Sequence, residues 1–184
     1  MGLYFSNNSS HKQSRPAGLL EHGSYSLDGY SNYTVSNMPN DNNVRNIQLD
    51  FPGLAVTGSG GPRYWMRFGN GQVDSSNNYR FSAGYFDGGG SVHAQHNTNY
   101  LQIVNQSHTN SNHRECGSIQ LHRTSSVGWS ILGQFGDTYY SPICYQCTGY
   151  YFNNNPITHF KMIVNSGSFR YSSRLTISYS EGFV

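Results

Sequence analysis

From Phe169 to Ser180 the chain keeps a two-residue beat: Phe169, Tyr171, Leu175, Ile177 and Tyr179 fall on odd positions, with Ser173 the one odd exception, and the even positions are all polar. Successive side chains of a strand face opposite ways, so this spacing predicts a strand with one face in a core and the other in water. The beat recurs upstream. "VRNIQLDF" sets Ile47, Leu49 and Phe51 against Gln48 and Asp50, with Val44 to one side, and "RYWMRF" sets Tyr64, Met66 and Phe68 against Arg63, Trp65 and Arg67. "NYRFSAGYF", "NYLQIVNQ" and "GSIQLHR" read as further short strands, and Ile119 to Phe135 reads as a hairpin. "FKMIV" contributes Phe160, Met162 and Val164, followed by the turn "NSGS". Only "RPAGLLEHG" hints at a helix, and Gly23 limits it to two turns.

Turn signals every 8 to 15 residues fit a sandwich or jelly roll, not a βαβ fold. Residues 1–18, "MGLYFSNNSSHKQSRPAG", have no sustained period and are expected to form a short irregular arm before one domain over 19–184. Composition points the same way. With 15 Tyr, 10 Phe and 21 Gly and few helix formers, the chain reads as an all-β, antiparallel β-sandwich of jelly-roll-like type. The aromatics also argue against wholesale disorder, which needs chains that lack them.

Charge removes several partners from the picture. Charged residues make up 11% of the chain, against about 25% in ordinary soluble proteins, and the net charge is +2. The basic residues are scattered, so no nucleic-acid partner is expected. No apolar run is long enough to span a bilayer, and "MGLYFSNNSS" has neither the basic start nor the apolar stretch of an export signal. Synthesis in a reducing cytoplasm and no membrane insertion are therefore expected.

Enzymatic chemistry finds no purchase. The acidic residues sit mostly in turn sequences, no carboxyl pair stands out for glycoside hydrolysis, and neither a nucleophile elbow nor a phosphate-binding loop is present. We expect no catalytic residues and no cofactor. Three cysteines cannot make a complete disulfide framework. "HREC" and "CYQC" do offer His113, Cys116, Cys144 and Cys147 at the spacing of a Cys3His zinc site, but small buried thiols are the favoured reading, and no metal is expected. A richer signal is the aromatic stretch carrying Tyr139, Tyr140, Tyr145, Tyr150 and Tyr151 beside Asn153 and Asn154, read as a loop between two core strands. Tyrosine offers an apolar face and a hydroxyl, and asparagine a donor and an acceptor. Such a loop suits a protein interface or a sugar, unless the rings fill the sandwich instead.

"GSIQLHRTSSVGW", a variable aromatic loop and "FKMIVNSGSFRYSSRLTISYSEG" follow one another in an order that resembles the distal β-sandwich domain of bacteriophage tail fibres and related virion surface proteins. "LLEHGSYSLDGYSNYTVSNMPNDNNVRNIQLDFPGL", "RYWMRFGNG" and "NNYRFSAGY" look like the opening strands of the same unit, so the resemblance covers about residues 19–182. It rests on strand order and turn residues, not on a catalytic signature. It implies a jelly-roll-like fold, a homotrimer, other virion proteins as partners, and a surface position from which the domain touches a host receptor such as a glycan. Tail fibres of this type attach through a long anchor and shaft, whereas a short arm precedes the domain here. Capsid decoration, and a non-viral lectin-like module, therefore stand beside the tail-fibre reading.

Overall fold

The computed structural model describes residues 20–57, 63–86, 91–104, 114–124, 127–137 and 144–181. The expected arm, 1–18, lies outside them. Among the described residues twelve strands run in chain order: β1 (Leu20–Ser26), β2 (Asn32–Val35), β3 (Val44–Leu54), β4 (Tyr64–Gly69), β5 (Tyr79–Phe86), β6 (Ser91–Thr98), β7 (Leu101–Val104), β8 (Glu115–Arg123), β9 (Trp129–Asp137), β10 (Cys144–Tyr151), β11 (His159–Val164) and β12 (Arg174–Glu181). No helix occurs among the described residues; of the segment that hinted at one, the described part, Leu20 to Gly23, lies in β1.

The strands form two antiparallel sheets, one of eight in the order β1-β12-β3-β8-β9-β10-β5-β6 and one of four in the order β2-β11-β4-β7. Their inner faces share one continuous apolar core, which makes the domain a β-sandwich. If the hairpins β5–β6 and β9–β10 are set aside, the remaining strands read 1-12-3-8 in one layer and 2-11-4-7 in the other. The chain-consecutive pairs 1/2, 3/4, 7/8 and 11/12 then each divide between the layers.

The alternation places the core as expected. Ile47, Leu49 and Phe51, then Tyr64, Met66 and Phe68, then Phe160, Met162 and Val164 are all buried. Val44, set aside in the sequence reading, is buried too, because a register shift opposite Ser180 and Glu181 turns it inward. The terminal beat breaks early. Strand β12 begins only at Arg174; Phe169 is buried through an isolated bridge to Val56, while Tyr171 stands 82% exposed. A turn closed by Ser173 N–H donating to the Arg170 carbonyl at 3.0 Å, with Ser172 at φ 72°, throws Tyr171 outward. Ser173 is buried because its hydroxyl donates to the Ala55 carbonyl at 3.2 Å and accepts from the Ala55 N–H at 3.1 Å.

Two contacts fix the sheets against each other. Tyr79 of β5 donates its hydroxyl to the Phe68 carbonyl and accepts from the Phe68 N–H at 2.9 Å, with Phe68 on β4 in the smaller sheet. Tyr64 of β4 donates to Glu115 of β8 at 2.9 Å, and Glu115 is wholly buried. At the far edge of the smaller sheet, β7 lies against β5 and β10. Gly149 permits this approach: a Cβ there would stand 2.6 Å from Leu101 Cδ1 and 2.7 Å from the Arg80 carbonyl oxygen.

Candidate functional site

The aromatic stretch is largely a strand, not a loop. Strand β10 pairs with β9 on one side and β5 on the other, so its residues alternate between core and surface. Tyr145, Cys147 and Tyr151 face inward and are buried, whereas Tyr150 is half-exposed on the outer face. Asn153 and Asn154 follow the strand end; Tyr139 and Tyr140 lie outside the described residues. The expected binding set is thereby divided, because strand geometry cannot bring Tyr145 and Tyr151 to the same side as Tyr150.

The same parity separates the cysteines. Cys144 and Cys147 are three residues apart on one strand and so face opposite ways. Cys147 is enclosed in the core, where burial pushes its thiol up to about 12. Cys116 and Cys144 flank Gly136 in register on the outer side, and the Cys116 thiol donates to the Pro52 carbonyl at 2.9 Å. No group of three His, Cys, Asp or Glu side chains able to hold a metal occurs among the described residues. His113 lies outside them.

One end of the sandwich carries a polar hollow of about 340 Å³ lined by Asn70, Gln72, Asp74, Ser76, Tyr151 and Asn153. Asp74 is its hub. Burial works against its charge, but Ser76, Asn78 and the Tyr151 hydroxyl (at 3.1 Å) all donate to the carboxylate and together hold it below the usual range. Tyr79 and Tyr151 stack at 4.9 Å beneath this loop, and burial raises both phenols. Asn153 Oδ1 accepts from the Asn155 N–H at 3.0 Å, and Asn154 accepts from the Arg123 guanidinium through both its side-chain oxygen and its carbonyl. Trp129, buried under that guanidinium, donates to the Asn155 carbonyl at 3.0 Å. These groups spend their hydrogen bonds on holding two connections in place.

The surface with groups to spare is the outer face of the larger sheet. Its even-numbered residues line up in register across strands. One row runs Ser180, Asn46, His122, Ser130, Tyr150, Arg80; the next runs Ser178, Gln48, Gln120, Leu132, Thr148, Ser82. Strands lie about 4.8 Å apart, so each row extends about 24 Å. Hydroxyls and amides dominate, with Leu132 48% exposed among them. Part of this face is concave: Asn46, Gln48, Gln120, His122 and Ser180 line a hollow of about 400 Å³. Asn46 donates to Ser180 Oγ at 2.9 Å, and its side-chain oxygen lies 2.6 Å from His122 Nδ1. That oxygen can only accept, so Nδ1 carries a proton, and in the neutral ring Nε2 is then an acceptor. At the other end, Tyr150 stacks on Phe152 at 5.5 Å and the Arg80 guanidinium lies 4.7 Å from the Phe152 ring centre.

Of the five described residues among the seven expected to bind, Tyr150 alone belongs to these rows. The signal for the others was present in the even positions of the very strands whose odd positions predict the core. Such a face can present donors, acceptors and one aromatic platform to a partner. No family model, curated protein or solved structure matches the chain.

Proposed function

We propose that this chain is a recognition domain on the surface of a virion, in the tail-fibre or adhesin role, and that it meets its partner through the outer face of the eight-stranded sheet. The observation that carries the reading is the row-by-row array of hydroxyl and amide groups on that face, only sparsely interrupted by charge. Such groups can be covered by a partner without stranding buried charges, and their fixed spacing selects among partners by hydrogen bonding. The virion setting rests on the tail-fibre resemblance. Two further observations support it: the antiparallel sandwich, and the 1-12-3-8 and 2-11-4-7 order, which we read as a jelly-roll frame with two added hairpins.

The homotrimer expected from that resemblance has a suitable contact where edge strands β1 and β2 border the same side. Tyr25 and Tyr33 sit 6.1 Å apart there, and Tyr30 packs edge-on to Tyr33 at 5.2 Å. Covering these edges in a subunit contact would prevent uncontrolled strand pairing.

The test is to label the chain on intact particles and image where the label sits. Label at the tail tips is the expected result. Label on the capsid faces alone would replace the adhesin reading with capsid decoration, and particles that carry none of the chain would end the virion reading.

A further inference from the structure

We infer that the end of the outer face at Tyr150, Phe152 and Arg80 is a subsite for a carboxylate-bearing sugar, the rest of whose oligosaccharide lies along the row toward Ser130 and His122. This inference deepens the recognition role proposed above and rests on it. Three features carry it.

The first is the platform. Tyr150 and Phe152 stack with an interplanar angle of 30°, and both remain partly exposed on a face made mostly of hydroxyl and amide groups. A pyranose presents C–H bonds on one face and hydroxyls at its edge, which suits a ring bordered by hydroxyl and amide groups. The Phe152 N–H donates to the Asn78 carbonyl at 2.8 Å, so the backbone that carries the platform is fixed before any ligand arrives.

The second is the guanidinium. The exposed Arg80 guanidinium lies over the Phe152 ring and makes no hydrogen bond or ion pair with another described residue. Its position is set by the ring, while its donors stay open to a planar anion, which a guanidinium binds in a two-pronged fashion.

The third is the charge of the row. From Ser180 to Arg80 it contains no acidic side chain. Of the acids on other rows of this face, Asp50 is four strands from Arg80 and accepts the Gln48 amide at 2.9 Å, and Glu21, in register with Ser178 on edge strand β1, is six strands away. Asp74, the acid closest to Arg80 along the chain, is turned to Ser76, Asn78 and Tyr151. A carboxylate at Arg80 would thus meet an open cation and no competing anion on the row. Beyond it, the Ser130 oxygen, whose proton goes to the His122 carbonyl at 3.2 Å, and the His122 ring offer partners for sugar hydroxyls, the histidine orientation being set by Asn46.

The experiment titrates the purified full chain with an oligogalacturonate, with sialyllactose and with a neutral galactan oligomer, so that the first two arms separate a chain uronate from a terminal sialic acid. At least one acidic probe is expected to bind about tenfold more tightly than the neutral one. Arg80→Gln should erase that preference while leaving the neutral affinity unchanged. Tyr150→Ala should weaken binding of acidic and neutral probes alike, and Tyr150→Phe should restore it, which a general loss of structure would not allow. Equal affinity for acidic and neutral probes, no binding by a chain with an intact near-ultraviolet dichroism spectrum, or an unaltered preference in Arg80→Gln would each overturn the subsite. If particles label at the tail and adhere to hosts equally well with Arg80→Gln and Tyr150→Ala, the subsite falls and the recognition role stands. If the purified chain binds as expected but particles lack it, the virion reading falls and the subsite stands.

Discussion

Tyr150 and Tyr151 are neighbours in the chain and the same residue type, yet they belong to different parts of the molecule. Tyr151 is buried against Tyr79 and Phe68 and its hydroxyl reaches Asp74; Tyr150 stands on the outer face with Phe152 and Arg80 nearby. The contrast extends over the whole larger sheet. Its inner rows are mostly aliphatic and aromatic side chains of varied size, such as Trp129, Tyr151 and Tyr79 at one end, with Arg123 beside Trp129, while its outer rows are mostly polar. Inner positions answer to packing, where volume and shape decide. Outer positions answer to whatever meets the sheet, because water would accept almost any polar residue there.

The largest expected effect tests the inner side. Trp129→Ala removes a wholly buried indole, its hydrogen bond to the Asn155 carbonyl and the ring under Arg123. A loss of about 3–5 kcal/mol is expected, read as a lowered urea midpoint. A smaller but still inward effect comes from Gly149→Ala. The new methyl meets Leu101, whose side chain can shift, and the Arg80 carbonyl, which is held in the β5–β10 ladder. About 1–3 kcal/mol should be lost. The same change at Gly136, which has open space around its Cβ position, serves as the control; equal losses at both glycines would show that the close approach of β7 does not set the cost.

This inner face was the legible one. Ile47, Leu49, Phe51, Tyr64, Met66 and Phe68 could be placed because one unbroken apolar beat fixes the phase of a strand. In β10 the inward set is Tyr145, Cys147, Gly149 and Tyr151, and the outward set ends on Tyr150, so hydrophobicity hardly distinguishes the two sides. Its status as an interior strand depends on β9 and β5 lying on either side, a long-range fact that local composition does not carry. Strand β6 was missed for a related reason: "SVHAQHNT" is too polar to announce a strand, and it pairs on one side only. Tyr171 misled in the opposite direction, since a turn at Ser172 interrupts a beat that continues in the letters. The spacing of Cys144 and Cys147 counts residues along the chain, whereas a strand sorts them by parity and turns the two thiols opposite ways. For the surface, polar residues at alternate positions mark exposure but leave open which neighbours they will have across the sheet.

An intermediate effect is expected where the two sides meet, at the loop over the stacked tyrosines. Tyr151→Phe leaves the packed ring and deletes the donor to Asp74. The carboxylate sits partly in water, which limits the loss to about 1 kcal/mol. The pH dependence identifies the cause. Asp74 is held below its ordinary value in the folded chain, so its charged form adds stability at pH values above the unfolded carboxyl range, and that contribution disappears as pH falls through the lower folded value. The difference between Tyr151→Phe and the parent should therefore be full at neutral pH and shrink in acid. A difference that stays constant down to low pH would assign the loss to packing alone.

The smallest effect on folding belongs to the outer face, and that makes it the most informative about purpose. Gln120→Ala and Thr148→Ala alter residues of the outer row that includes Leu132, without touching the core or a described hydrogen bond. Each should change stability by no more than about 0.5 kcal/mol in a urea titration. If these rows exist to meet a partner, the same two substitutions should reduce adhesion by the intact particle while leaving the folded chain unaffected. A loss comparable to that of Gly149→Ala would mean that the outer rows brace the sheet, and the contrast between its faces would then concern solubility and not recognition. The two measurements have to be made on the same variants, because only their disagreement, stable but non-adherent, separates a surface that binds from one that is merely wet.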